Sequence, residues 1–275
     1  MKILKVNLNY LNQKTNALVF LPTTFIDDNE KESVSRPLGT FAILTHGYTA
    51  DKSSLLNWAI RLAESQVSVI LFDLPGHYLG NYSEVEDFEH FKRHAHELFY
   101  DAFLKLQELF LQNFPLEESL LDKNNLKLIL GGHSLGALLS LKALMLPSFL
   151  EYQKLSMAVG LGMAPKNVVH LFDTPFYKNT LKIREQLVSA ALKPDHVFPW
   201  IREEKMALDV RGATIHLITG ADDLVVGDDG MEKFAEVMTA KGNKVTMEKP
   251  SKLPHHEPQL AASYIKKYLR KINWV

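Results

Sequence analysis

The sequence contains no cysteine. That removes disulfides, thiolate nucleophiles and cysteine-ligated zinc from consideration. No apolar run approaches the ~20 residues of a membrane span. The opening segment, MKILKVNLNYLNQK, turns polar too early for a secretory leader. A soluble, cytoplasmic protein without a membrane span is expected on those grounds. Neither sign of charge dominates, with 31 Lys and Arg against 32 Asp and Glu. No basic block is dense enough for a nucleic-acid face, so no nucleic-acid partner is expected. Internal repeats and low-complexity tracts are absent. What is present is ordinary for a globular chain: 46% hydrophobic and 23% charged residues. A chain of 275 residues fits one domain, 1–275, that can bury roughly three-quarters of its unfolded surface.

The apolar pattern predicts an α/β fold. Residues 2–9 alternate like an edge strand, and 17–21 read as its partner. The charged segment Asp27–Pro37 reads as a loop. Then come a continuous apolar run at 41–45 and short strand signals at 67–72, 126–130, 156–161, 214–219 and 244–248. Helical spacing separates them, at 53–65 (with Ser53 or Ser54 as N-cap), 87–112, 136–146, 230–240 and 258–272. Strands that are apolar on both faces and alternate with helices imply a mostly parallel sheet wrapped by helices. The expectation is about eight strands flanked by helices. The alternation lapses over 165–206, which reads as an inserted helical cap.

The chemistry-bearing motif is Gly132-His133-Ser134-Leu135-Gly136. It follows the run LKLIL and precedes ALLSLKALML, so it sits on a strand, a tight turn and a helix. This is the context of a nucleophile elbow. Side chains two residues either side of the serine would collide with the neighbouring strand and helix, and glycine removes them. The turn exposes Oγ, and the Leu135 N–H at the new helix start points at a developing oxyanion. The competing reading is a plain glycine-rich turn in which Ser134 only caps the helix.

A serine needs a base, and the base needs an acid that orients it. The run TIHLIT is followed by Asp222 and Asp223, at the strand end where open parallel sheets collect functional groups. Asp223 is favoured, while the other aspartate closes the turn. The sequence Gly162-Met163-Ala164-Pro165, after the preceding strand, offers no acid. Past the last strand lie His255 and His256, where a loop could carry an imidazole over Ser134. His256 is favoured and His255 remains the alternative.

Taken in order, these residues resemble the α/β-hydrolase superfamily, in particular its carboxylesterase- and lipase-like serine hydrolases. The resemblance runs through His46-Gly47, Asp73-x-x-Gly76-His77, Gly132-x-Ser134-x-Gly136, Gly220-x-x-Asp223 and His256. The segment His46-Gly47-Tyr48-Thr49 looks like the HG-x-T turn of bacterial carboxylesterase-like members. The resemblance implies a second oxyanion donor in the Tyr48 N–H, beside Leu135, and structural roles for His46 and His77. With serine as nucleophile, it points away from dehalogenases and epoxide hydrolases.

Phe172, Phe176, Tyr177, Phe198 and Trp200 lie in the cap region. They either line an apolar pocket over Ser134 or pack the cap onto the body. His90 and His94 have a helical metal-binding spacing, but no third ligand is evident. Their neighbours Glu89, Lys92, Arg93 and Glu97 suggest a solvated face. No metal and no cofactor are expected. The function expected is cleavage of a small-molecule carboxylic ester or thioester through an acyl-enzyme. An amidase or peptidase of the same fold, or a non-catalytic binding protein, are the alternatives.

Overall fold

The computed structural model describes residues 1–23, 37–164 and 174–275, save for the side chain of Phe176. Eight strands form one sheet: β1 Lys2–Tyr10, β2 Gln13–Leu21, β3 Thr40–Thr45, β4 Ser68–Phe72, β5 Lys127–His133, β6 Gln153–Val159, β7 Thr214–Ile218 and β8 Lys244–Glu248. Their order is β1-β2-β4-β3-β5-β6-β7-β8. The first two strands make an antiparallel hairpin that joins β4 antiparallel. Every pairing from β4 through β8 is parallel. The α/β sheet read from the sequence is therefore the one that forms. Its predicted charged loop, residues 27–37, lies outside the described residues except for Pro37.

The helices are α1 Leu56–Ala63, α2 Phe88–His94, α3 Leu98–Asn113, α4 Leu135–Ala143, α5 Pro175–Arg184, α6 Pro194–Ala207, α7 Gly230–Ala240 and α8 Ala262–Lys271. No helix among the described residues is long and apolar enough to cross a membrane. The continuous apolar runs are explained by burial on both sheet faces. On β3, Phe41 and Ile43 enter one core with α3 and α4, while Ala42 and Leu44 enter another with α1 and α8. Each fully buried Phe, Leu or Ile contributes about 1.5–3 kcal/mol relative to an exposed one.

Three local differences from the sequence reading have clear causes. The first helix is entered through a 3-10 turn, Lys52–Leu55, capped by Asp51 rather than Ser53 or Ser54; the Asp51 carboxylate accepts from the Ser53 N–H at 2.6 Å. The helix predicted over 87–112 is broken by a 3-10 turn at Ala95–Glu97. Across that break Phe91 packs edge-on against Trp200 and Phe99 against Phe72. Strand β6 stops at Val159 because Gly160 turns the chain with φ +63°.

Trp58 of α1 is fully buried, and its indole N–H donates to the Pro258 carbonyl at 2.7 Å. This bond ties α1 to the segment just after His255 and His256. Trp58→Ala should cost about 3–5 kcal/mol of stability, read as a lower urea midpoint at unchanged slope.

Candidate active site

The parallel strands deliver their carboxyl ends to one side of the sheet. Thr45 of β3 lies in register with Phe72 of β4 and Gly132 of β5. His46, Asp73, Ser134, Gly160 and the 219–223 turn follow directly from those strand ends.

Ser134 sits between β5 and α4 at φ +50° and ψ −107°. A non-glycine residue held in such a conformation costs about 1–3 kcal/mol. The surrounding packing leaves the chain no relaxed alternative. A Cβ on Gly132 would lie 2.5 Å from the Thr45 carbonyl oxygen, and one on Gly136 would also collide with Thr45 and His46 carbonyls. The two glycines thus let the elbow press against the end of β3. The bend is fixed by Ser134 N–H donating to the Val159 carbonyl (2.9 Å) and by Leu138 N–H donating to the Ser134 carbonyl (3.0 Å). Leu135 is the first residue of α4. Its N–H belongs to the first turn, where a helix supplies no acceptor of its own.

The imidazole beside Ser134 is His255. Its Nε2 is 3.2 Å from Ser134 Oγ, and its Nδ1 is 2.8 Å from Asp223 Oδ2. A carboxylate only accepts, so Nδ1 carries the proton and Nε2 presents its lone pair to the serine hydroxyl. Asp223 is buried; its Oδ1 accepts from the N–H groups of Val225 (2.9 Å) and Val226 (3.0 Å). The carboxylate favoured from the sequence is thus the one that meets the histidine.

The favoured histidine is not. His256 is exposed, and its only charged partner among the described residues is Glu257, at 3.6 Å. The reason is the register of the loop. Leu253 is buried in the core, its N–H donates to Asp222 Oδ1 (2.7 Å), and Ala221 N–H donates to the Pro250 carbonyl (2.7 Å). The turn that follows closes with Glu257 N–H donating to the Pro254 carbonyl (3.0 Å). Its first central residue, His255, faces inward and its second, His256, faces solvent. Asp222 therefore does more than close its own turn: it fastens the histidine loop to the end of β7.

Three further imidazoles surround the pair. His46 is fully buried; its Nδ1–H donates to the Gly47 carbonyl (2.8 Å) and its Nε2 accepts from Leu74 N–H (2.9 Å). That tautomer is neutral, and burial pushes its pKa down to about 4. The 3.8 Å approach to Asp73 is accordingly not an ion pair. Asp73 is held instead by Lys52, through its backbone N–H (2.8 Å) and its ammonium (2.5 Å). His77 donates from Nδ1 to the Pro75 carbonyl (3.0 Å) and is pushed down to about 3 by burial, then by His46. The residues around it, Gly76 and Tyr78, bond to Ser189 and Leu187 and so secure the segment between α5 and α6. His133 is held well below its ordinary pKa, first by burial and then by His255. Its ring lies 4.7 Å from that of His255. The sequence reading passed over His133, although it occupies the variable position beside the serine.

A cavity of about 400 Å³ opens onto Ser134 and His255; Tyr48, Tyr177, Arg184 and Phe198 line it. Tyr48 packs edge-on against Phe198 and His77, and its hydroxyl donates to the Leu192 carbonyl at 2.7 Å. The aromatic residues of 165–206 divide between the two expected roles. Tyr177 and Phe198 line the cavity, whereas Trp200 packs on Phe88 and Phe91 and donates to Glu204. Phe172 and the side chain of Phe176 lie outside the described residues. The His90 and His94 rings lie 4.4 Å apart and tilted by 33°; their Nδ1 atoms face the Tyr10 hydroxyl and Glu97 respectively.

A model of the alpha/beta hydrolase family matches residues 42–258. The chain belongs to that family. Against curated proteins the sequence finds no match. Among solved structures it is similar to an acylaminoacyl peptidase of Pyrococcus horikoshii, with a TM-score of 0.58 at 12% identity. That likeness covers 98% of this chain but only 41% of the peptidase. It is also similar to a lipase in open form (TM-score 0.62, 15% identity, 98% of this chain and 99% of the lipase). A Pyrococcus furiosus esterase gives a TM-score of 0.55 at 15% identity, over 98% of this chain and 90% of the esterase. At such identities the likeness establishes the fold.

Burial of neutral His46 and His77 sets a pH dependence of stability. Both folded pKa values lie below the ordinary 6.5, so the unfolded chain takes up protons that the folded one refuses. Stability should fall as pH drops below about 6.5, by about 1.4 kcal/mol per pH unit for each histidine down to its folded value. The urea midpoint should be clearly lower at pH 5 than at pH 7. An equal midpoint would show that the two rings are not held neutral.

Proposed function

We propose that this hydrolase cleaves a small carboxylic ester or thioester, with Ser134 as nucleophile, His255 as general base and Asp223 as the acid that orients it. One observation carries the reading: the unbroken chain of bonds from Asp223 through His255 to the hydroxyl on the strained elbow. Attack by Oγ on the substrate carbonyl sends its proton to His255 Nε2. The imidazolium is held by Asp223 and returns the proton to the leaving alkoxide or thiolate. Water, deprotonated by the same imidazole, then releases the acid and restores Ser134.

The backbone N–H groups of Leu135 and Tyr48 are proposed as the oxyanion donors. Supporting this are the position of Leu135 at the start of α4 and the place of Tyr48 beside Ser134 in the cavity wall. Each such donor is worth on the order of 10²–10³ in rate. We read α5, α6 and the segment between them as a cap that gives the substrate an apolar wall, chiefly Phe198 and Leu187, and limits water at the site. The likeness to an esterase and a lipase agrees with an ester substrate.

The protein should be labelled by a fluorophosphonate probe, and Ser134→Ala should abolish labelling. On p-nitrophenyl esters, Ser134→Ala and His255→Ala should each lower kcat by about 10³-fold or more. His256→Ala should stay within about threefold of wild type. Matched p-nitroanilides should be turned over far more slowly than the esters; comparable rates would favour an amidase. Full labelling of Ser134→Ala would remove the assignment of the nucleophile.

A further inference from the structure

Beside the main cavity, a recess of about 60 Å³ shares Ser134, His255 and Tyr48 and runs back to α6, where Arg202 and Lys205 line it. Lys205 is nine-tenths buried. Its ammonium, a group with three donors, makes one hydrogen bond among the described residues, to the Gly162 carbonyl at 2.5 Å. No carboxylate pairs with it among the described residues, and the charge that acts on it is a second cation, Arg202. The nearby Glu204 is already committed to Lys142 (2.6 Å) and to the Trp200 indole. Burial and Arg202 bring the Lys205 pKa down to about 8, which still leaves it mostly charged at neutral pH. A buried ammonium with no counterion among the described residues is unfavourable, so the site is set to gain from an incoming anion. The mouth of the main cavity adds Arg184, stacked over Tyr177. Across cavity and recess the described lining residues include these three cations and no carboxylate, in a chain whose net charge is only −1.

Resting on the ester-cleaving reading above, we propose that the recess is an anion subsite: the substrate carries a small anionic group, of carboxylate type, that binds Lys205 and Arg202 while its ester or thioester carbonyl lies at Ser134. The recess has room for a group of that size and little more. Lys205 supplies the buried point charge, and the exposed Arg202 helps draw the anion in. No bond is made or broken by either residue; they set which esters are accepted.

The test compares monomethyl succinate with methyl 4-methylpentanoate, in which a branched methyl pair replaces the carboxylate. In wild type at low ionic strength, kcat/KM should favour the anionic ester by tenfold or more. The preference should fall to near one in Lys205→Met, fall partly in Arg202→Gln, and persist in Lys205→Arg, whose charge is kept. The change should appear chiefly in KM. A role for Lys205 confined to bracing Gly162 would slow both esters alike and leave their ratio intact, which would overturn the subsite. A preference lost in Arg184→Gln but kept in Lys205→Met would put the anion at the mouth and also overturn it. Calorimetric binding of monomethyl succinate to Ser134→Ala reads the subsite without turnover. Binding that disappears when Lys205→Met is added supports the proposal; no binding, or binding indifferent to residue 205, refutes it. Failure of the ester-cleaving reading itself would show separately, as absence of fluorophosphonate labelling in wild type.

Discussion

The site depends on a steric constraint: the backbone at Ser134 is bent into a strained conformation because β5, α4 and the end of β3 are pressed together where only glycine fits. Gly132 and Gly136 both abut the Thr45 carbonyl. That contact removes freedom from three elements at once. The strain costs about 1–3 kcal/mol, and the burial of nearly every residue of α4 offsets it. The hydroxyl is thereby held at the head of a helix and at the carboxyl edge of the sheet. Asp223 reaches it from the end of β7 and His255 from the loop that follows β8.

Around this point the protein sorts its histidines by what they can bond to. His46, His77 and His133 are buried and held neutral, and the first two brace loops through bonds to backbone carbonyls. His255 alone of this group faces a carboxylate on one nitrogen and a hydroxyl on the other. Neutral neighbours matter, since a second imidazolium close by would oppose any positive charge on the His255 ring. Ser134 and His255 follow strand ends of the sheet, whereas the three cations Arg184, Arg202 and Lys205 lie on the helices between β6 and β7.

Much of this was legible in the chain. The apolar runs announce strands because a sheet covered on both faces admits no polar alternation. The elbow announces itself because its chemistry demands glycine at two fixed offsets. Asp223 could be found because strand β7 ends just before it. Spacing narrows the histidine to a dipeptide and favours His256, whereas the ring that lies against Ser134 and Asp223 is His255. Spacing along the chain says nothing about which side of a turn faces inward; the burial of Leu253 and its bond to Asp222 decide that. Likewise the helix predicted over 87–112 has no proline or glycine to mark its break. Phe91 and Phe99 dictate it, through partners 109 and 27 residues away in Trp200 and Phe72.

By itself, then, the sequence determined the parallel α/β sheet, the serine on its glycine-flanked bend and the aspartate at a later strand end. Each of these is a local rule of periodicity or backbone sterics written in adjacent residues. Only the tertiary structure decided that His255 rather than His256 meets that serine, and that a lysine from α6 lies buried beside the same recess with no counterion among the described residues. Both outcomes depend on contacts between segments far apart in the chain, where packing and not local preference sets which side chain turns inward.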